Sequence, residues 1–433
     1  MSARIGIRLE DKNEWERRTP LVPEHVRELK EQHGVEVCVQ SSPIRAFDAG
    51  EYKGAGATVA DELSACPVVL AVKEIPIELF EPDKTYIFFS HTIKGQKANM
   101  PMLQRLLDLG CQLIDYEKIV DENGRRLVFF GNYAGLAGML DTLWALGQRL
   151  AWEGIETPFS QIRQARHYTD LGEAQAAVQK VGQHIAQKGL PPSLTPLICG
   201  FAGYGNVSGG AQEIYDLLPI HEIAPADLLT FDQGDPHHVY KVVFKEQDMV
   251  EPLAEGATFA LQDYYDHPEK YRSQFQRYVP RLTVLVNGIY WTARYPRLVT
   301  RKYLKELFSQ EEKPRLRVIG DISCDEEGAI ECNLRCTSPG NPIYVYDPLS
   351  GETHDGHEGR GVVVLAVDNL PCELPRESSS HFSATLAPFV PEIAQADYSA
   401  PLEQSGLSPT IQRAVIAWHG QLTPDYHYIE EFL

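Results

Sequence analysis

The sequence predicts an α/β protein built on parallel β-sheets, and three observations predict it. Short apolar runs alternate with helix-patterned segments from Arg4 to Asp115. A second alternating region runs from Thr195 to about Leu370. Within it, Leu197–Gly200 leads into the glycine-rich stretch Gly203-Tyr204-Gly205 and then a helical pattern, the strand–turn–helix order of a dinucleotide-binding βα unit.

In chain order, Arg4–Leu9 (RIGIRL) reads as a strand. Pro23 opens a helix, PEHVRELKEQH, that Gly34 ends, and Val35–Val39 (VEVCV) is the next strand. Ala60–Ser64 (ADELS) reads as a short helix before the strand Pro67–Val72 (PVVLAV). Tyr86–Ser90 (YIFFS) is a strand, Met102–Leu109 a helix closed by Gly110, and Cys111–Ile114 a strand. Leu136–Trp152 is a long apolar helix that carries the chain into a second domain. Tyr168–Lys188 is a more polar helix broken by Gly189–Pro192. The second set of strands is expected at Pro196–Gly200, Pro219–Ile223, Leu282–Val286, Val318–Ile322 and Gly361–Val367. The segment after Pro371 reads as helical, has too few strands to stand alone, and is expected to pack back on the first domain. The domains expected are therefore 1–135 with 372–433, and 136–371.

The 433 residues exceed one typical core. A net charge of −20 argues against non-specific nucleic-acid binding, which needs cations on phosphates. The charged N-terminus has no secretory pattern, and no apolar run of about 18 residues or more predicts a membrane span. Eight scattered cysteines suit a reduced, cytoplasmic setting. Cys324, Cys332 and Cys336 lie close together, and so do His354 and His357, but neither group has metal-ligand spacing, so no metal is expected.

The cofactor signal is FAGYGNVSGGAQ. Gly203 and Gly205 allow a tight turn and close approach to a pyrophosphate, and the helix N-terminus after Asn206 and Val207 adds N–H donors. Ser208 replaces the third glycine of G-x-G-x-x-G, which weakens the motif. The acid that should end the next strand and hold a ribose hydroxyl is not evident. Glu222 has the right separation but sits inside the pattern HEIAPAD, and this favours NADP over NAD.

Two apolar strands end in side chains that move protons. PVVLAV runs into Lys73 and Glu74, and YIFFS into His91. Ligands bind beyond the carboxyl ends of strands in open parallel sheets, so Lys73 and His91 are candidates for one site. Glu74 and Glu117, also at or past strand ends, are placed to bring a Lys or His pKa toward neutrality. Arg18 and Arg126 are candidate forks for a substrate carboxylate.

Over nearly the whole chain these motifs resemble a known family. RLEDKNEWERRTPLVPEH, VKEIP, YIFFSHTIKGQ, LIDYEKIVDENGRRLVFFGNYAGLAGML, FAGYGNVSGGAQ, VNGIYW, GDISCDEEGAIE and VDNLPCELPRESS are similar to the lysine–2-oxoglutarate reductase domain of aminoadipic-semialdehyde synthase. They are similar, less closely, to the lysine-forming saccharopine dehydrogenases. Both are relatives of alanine dehydrogenase and the nicotinamide-nucleotide transhydrogenase domain. The resemblance implies two Rossmann-like domains with a cleft between them, the first split and completed by the C-terminal segment. It implies reductive condensation of L-lysine with 2-oxoglutarate to saccharopine, using NADPH, with NADH possible. By motif it makes Lys73 and His91 the acid–base pair and Glu74 and Glu117 the tuning carboxylates. Arg18 and Arg126 become the substrate-carboxylate ligands, and Asp321, in GDIS, a residue near the nicotinamide. With no saccharopine-cleaving half in the chain, only the first step is expected. The alternatives are an NAD-dependent saccharopine dehydrogenase, another opine-forming reductase, and a non-catalytic nucleotide-binding module.

Overall fold

The computed structural model describes residues 3–433. They divide into two compact units, 3–130 with 375–433, and 131–374.

The first unit is a doubly wound sheet. Its strands are β1 (Arg4–Ile7), β2 (Glu36–Gln40), β3 (Thr58–Ala60), β4 (Val68–Leu70), β5 (Thr85–Phe88) and β6 (Gln112–Asp115). They lie parallel in the order β6-β5-β4-β1-β2-β3. The order reverses between β1 and β4, the topological switch point where open sheets bind ligands. β4, β5 and β6 are buried along their whole length, as strands covered on both faces must be. Helix α1 (Pro23–His33) starts on a proline at its first position and ends at Gly34, which takes φ 65° and donates its N–H to the Lys30 carbonyl. Helix α2 (Ala49–Gly54) carries a full capping box, Asp48 with Glu51. The helix expected at Ala60–Ser64 does not form. Only Leu63 there is buried, so no apolar stripe supports a helix, and the chain makes edge strand β3 and a turn instead. Helix α3 (Met100–Asp108) buries Met100, Met102, Leu103 and Leu106 before the turn at Gly110.

The second unit opens with α4 (Gly131–Trp152), a helix apolar on nearly every face and buried accordingly. Helix α5 (Leu171–Lys188) begins at its cap Asp170, which accepts from the Glu173 N–H, three residues later than the sequence suggests. The strands that follow are β7 (Ile198–Ala202), β8 (Ile220–Glu222), β9 (Val239–Phe244), the short ribbon β10 (Val250–Pro252) with β11 (Tyr271–Ser273), β12 (Val284–Asn287), β13 (Val318–Asp321), β14 (Ile343–Tyr346), β15 (Thr353–Asp355) and β16 (Val362–Leu365). The main sheet runs β15-β14-β16-β13-β12-β7-β9-β8, parallel except that β14 pairs antiparallel with both of its neighbours, β16 and β15. Its switch point lies between β7 and β12. Helix α6 (Asn206–Tyr215) follows β7 and crosses α4 closely. A Cβ on Gly135 would stand 2.0 Å from the Val207 carbonyl oxygen, and one on Gly210 2.1 Å from the Asn132 carbonyl oxygen.

The chain then returns to the first unit through helix Pro375–Leu386, whose Ser379 and Ser383 hydroxyls accept from the Thr19 and Val22 N–H groups. The tail is not the all-helical segment expected. β17 (Val415–Trp418) and β18 (Gln421–Leu422) extend the first sheet, β17 running antiparallel to β6. Val415–Trp418 is a run of four buried residues, a strand length, and it pairs with a sheet edge that would otherwise stay open.

Candidate active site

Lys73 and Glu74 follow β4, and His91 follows β5, each within the loop beyond its strand's carboxyl end. The loop beyond β1, on the other side of the switch point, supplies two acids that sequence patterning did not single out. Glu10 is buried, and its carboxylate accepts from the Val72 N–H at 2.7 Å and the Lys73 N–H at 3.0 Å. It thereby fixes the backbone that carries Lys73. Burial and the neighbouring Glu16 carboxylate push Glu10 up to about 7. Glu16 is fully buried and forks onto Arg18, with Nε–Oε1 at 2.8 Å and Nη2–Oε2 at 2.6 Å. In sequence both acids lie in RLEDKNEWERR, whose charge density hides their burial.

Glu74 bridges His91 and Lys12. Its Oε1 lies 2.6 Å from His91 Nδ1, and its Oε2 accepts from Lys12 Nζ at 3.2 Å. Burial alone would raise its pKa, but the His91 hydrogen bond and charge, helped by Lys12, win and hold it near 2. Glu74 is thus an anion at neutral pH. Lys73 also has its pKa lowered, which for a lysine favours the neutral form: burial lowers it, the Arg18 and Lys12 charges add to this, and Glu16 and Glu74 oppose them. A lysine so placed gives up its proton more readily than a free one. His91 adopts φ 49°, the left-handed region that a non-glycine residue enters at a cost of order 1–3 kcal/mol. The turn is pinned by Asn99 Nδ2 donating to the His91 carbonyl at 3.2 Å, and the imidazole stacks on Phe89 at 6.4 Å.

The two arginines differ from expectation. Arg18 is 2 % exposed, committed to Glu16 and lies 4.3 Å over the Phe130 ring. It is a buried ion-pair member rather than an open fork. Arg126 is half exposed and ion-paired with Glu117, which follows β6. Glu117 and Arg126 pair with each other rather than with His91. Beneath Glu117, the buried Asp115 accepts from Ser90 N–H at 3.1 Å and from Ser90 Oγ, and burial raises its pKa to about 6.

In the second unit the Gly203–Ser208 turn follows β7 at the switch point. Gly203 takes φ 93°, and a Cβ there would press within 2.9 Å of Ile289 on the loop after β12. Ser208 closes the turn by donating its hydroxyl to the Gly203 carbonyl at 2.7 Å, which explains a serine in place of the third glycine. Gly205 caps α6 without a side-chain acceptor, so the first N–H groups of the helix remain available, and open space lies above Gly205 and Gly209. Tyr204 is exposed and lines a crevice of about 800 Å³ with Gly209, Glu222 and Lys245. Glycine turn, bare helix N-terminus and open space fit a dinucleotide pyrophosphate.

The strand beside β7 is β9, not β8. Glu222 does end β8, but at the sheet edge. The position next to the turn belongs to the end of β9, where Lys245 lies 5.8 Å over the Tyr204 ring. Glu246 follows and accepts from the Tyr204 hydroxyl at 3.1 Å and the Tyr265 hydroxyl at 2.7 Å. Sequence patterning passed over β9 because Lys241 interrupts VYKVVF; that lysine is buried against Asp216 at 2.8 Å. Asp321 ends β13 fully enclosed, bonded by Asn287 Nδ2 and Asn333 Nδ2, both at 2.8 Å, and burial raises its pKa to about 6. It braces the strand ends rather than presenting a carboxylate. His354 lies on β15 with Nε2 on the Glu358 carbonyl, and the His357 carbonyl accepts from Arg149. Among the described residues no group of three His, Cys, Asp or Glu side chains could hold a metal, and no helix is long and apolar enough to cross a membrane.

The chain is 40% identical to the alpha-aminoadipic semialdehyde synthases of Bos taurus, over 99% of this chain and 47% of that protein, and of Arabidopsis thaliana, over 98% and 41%. It thus spans about half the length of these curated relatives. It is 26% identical to the saccharopine dehydrogenase [NAD(+), L-lysine-forming] of Yarrowia lipolytica, over 92% of this chain and 94% of that one. Among solved structures it shares its fold with an L-alanine dehydrogenase, at TM-score 0.59 and 19% identity over 99% of this chain and all of the other. A transhydrogenase from Sinorhizobium meliloti gives TM-score 0.53 at 14% identity over 98% and 99%. Residues 6–137 match the alanine dehydrogenase/PNT N-terminal domain and residues 266–425 its C-terminal domain, and with two doubly wound units behind those matches the chain belongs to the alanine dehydrogenase/PNT family.

Proposed function

We propose that the protein condenses L-lysine with 2-oxoglutarate and reduces the product to saccharopine, with NADPH as hydride donor. The observation that carries this reading is the Lys12–Glu74–His91 chain beside Lys73 at the β1/β4 switch point. It offers one lysine of lowered pKa, one imidazole and one fixed anion.

The lysine amine adds to the ketone of the oxo acid. Loss of water leaves an imine, and hydride with a proton converts it to the secondary amine. The bound dinucleotide supplies the hydride. Lys73 and His91 move the protons for water loss and for the final amine. Glu74 stabilises the cationic imine and keeps His91 oriented through Nδ1, so Nε2 is the nitrogen that meets the substrate. Arg126, half exposed, holds an oxo-acid carboxylate. Arg18 acts from below, through its charge on Lys73.

Lys245 supports NADPH, because a lysine at the end of β9 suits a 2′-phosphate. NADH is the second reading, favoured by Glu246, one residue further on, whose carboxylate suits a ribose diol. We also infer a cytoplasmic setting, which cell fractionation tests. The deciding experiment follows NADPH and NADH absorbance with lysine and 2-oxoglutarate and identifies the product by mass. Cofactor binding with no turnover over a panel of amines and oxo acids would overturn the catalytic reading in favour of a binding module.

A further inference from the structure

Cys324 and Cys336 stand twelve residues apart in sequence, yet their Sγ atoms lie 3.6 Å apart. Both thiols are free, and neither takes part in the chemistry described above. Cys324 follows β13 by three residues, at φ 54°, and its thiol donates to the Ala366 carbonyl at 2.8 Å, just past β16. Cys336 is exposed, and its backbone N–H donates to Glu326 at 2.9 Å. The third cysteine of the group, Cys332, is fully buried and out of reach of any reagent in solution. The chain between the pair carries Asn333, which donates to Asp321 at 2.8 Å.

We propose that Cys324 and Cys336 form a reversible dithiol–disulfide site that reacts with small-molecule disulfides and fixes the loop between them against the end of β13. The exposed Cys336 reacts first. Its thiolate attacks one sulfur of the external disulfide, forms a mixed disulfide and expels one thiolate. Cys324, already in van der Waals contact, then attacks the Cys336 sulfur, forms the internal disulfide and expels the second thiolate. Two protein thiols lose two electrons and two protons, and one external disulfide becomes two thiols. Cys324 gives up its hydrogen bond to Ala366 in the process. The neighbouring Cys336 thiol and burial raise the Cys324 pKa in the reduced protein, so Cys336 is the thiol that meets the external disulfide first. The linkage closes a short loop, and its constraint falls on the segment that carries Asn333.

The test incubates the full chain with glutathione disulfide and maps peptides without reduction. The expected result is a Cys324–Cys336 crosslink, loss of two hydrogens by intact mass, and full reversal by dithiothreitol. Cys324→Ser is expected to hold a stable glutathione adduct at Cys336, and Cys336→Ser to remain unmodified at Cys324. Hydrogen–deuterium exchange in 325–335 is expected to slow in the crosslinked protein. A wild-type protein that stops at the Cys336 adduct, or links Cys336 to another cysteine, overturns the site. Unchanged exchange in fully crosslinked protein overturns the loop constraint.

Discussion

Glu74 holds His91 Nδ1 at 2.6 Å with one oxygen and Lys12 at 3.2 Å with the other. This fixes the imidazole's orientation, and a pKa near 2 keeps Glu74 ionised at neutral pH. His91→Gln removes the proton carrier and is expected to lower kcat by about 10²-fold or more. Glu74→Gln keeps a hydrogen bond but loses the charge, and is expected to lower kcat with little change in KM. Steady-state kinetics measure both, and near-wild-type turnover in His91→Gln removes it from the acid–base pair. The sign for stability is also fixed. Glu74 has a depressed folded pKa, so its contribution is present above the ordinary glutamate value of about 4.3 and fades as pH falls toward 2.

Lys73 carries a lowered pKa, so the alkaline limb of the kcat/KM profile is expected below the ordinary lysine value of about 10.4. Lys12 contributes to that lowering from a half-exposed position, so Lys12→Ala should move the limb upward. Lys73→Met should abolish the limb together with about 10²-fold or more of kcat. A limb that stays put in Lys12→Ala, or survives in Lys73→Met, assigns it to another group.

The burial of Arg18 changes what its loss should do. Arg18→Ala leaves the fully buried Glu16 without its fork, and breaking a buried pair costs about 3–5 kcal/mol. The expected phenotype is therefore a lower unfolding midpoint rather than a KM effect alone. Arg126→Ala, at a half-exposed position, should raise the 2-oxoglutarate KM while leaving the midpoint nearly unchanged. Denaturant melts beside kinetics separate the two. An Arg18→Ala protein as stable as wild type would contradict the buried-pair assignment.

Much of this site was legible because the relevant strands are short, apolar and buried on both faces. PVVLAV and YIFFS advertise β4 and β5, and whatever follows them must emerge at the carboxyl edge. What patterning missed were buried charges with partners distant in sequence. Glu10 is bonded to backbone some sixty residues away, so nothing local marks it as buried. Lys241 hides β9 for the same reason, since its partner Asp216 lies on the turn after α6. The tail misled for another reason. Val415–Trp418 is too short to declare itself, and its strand character comes from the edge of β6, some three hundred residues earlier.

With β9 in place, Lys245 becomes the residue to test for cofactor choice. Lys245→Ala should weaken NADPH about tenfold, the loss of one charge-assisted contact of about 1.5 kcal/mol, and leave NADH nearly unchanged. Equilibrium dissociation constants from nucleotide fluorescence measure this without turnover. The fragments 2′-AMP and AMP provide the same contrast at the adenosine end. Equal weakening of both dinucleotides would show that Lys245 supports the turn and does not read the phosphate.

Asp141 on α4 and Glu373, just before the chain leaves the second unit, form a buried carboxyl pair. Asp141 Oδ1 accepts from the Ala165 N–H at 2.7 Å and Glu373 Oε2 from the Arg166 N–H at 3.2 Å. The remaining oxygens, Asp141 Oδ2 and Glu373 Oε1, lack any other partner among the described residues, and one shared proton satisfies both. Burial raises both pKa values, and for Glu373 the Asp141 charge raises it further. The folded state therefore keeps a proton that the unfolded chain releases above about pH 4. The pair's contribution to stability is largest in acid and falls as pH rises through the raised folded values. Asp141→Asn keeps the bond to Ala165 and places a permanent N–H opposite Glu373. It is expected to flatten the melting temperature between pH 5 and 9 and to stabilise the protein at the upper end. Calorimetry across that range gives the answer, and parallel wild-type and Asp141→Asn curves would show that the two carboxyls do not share a proton.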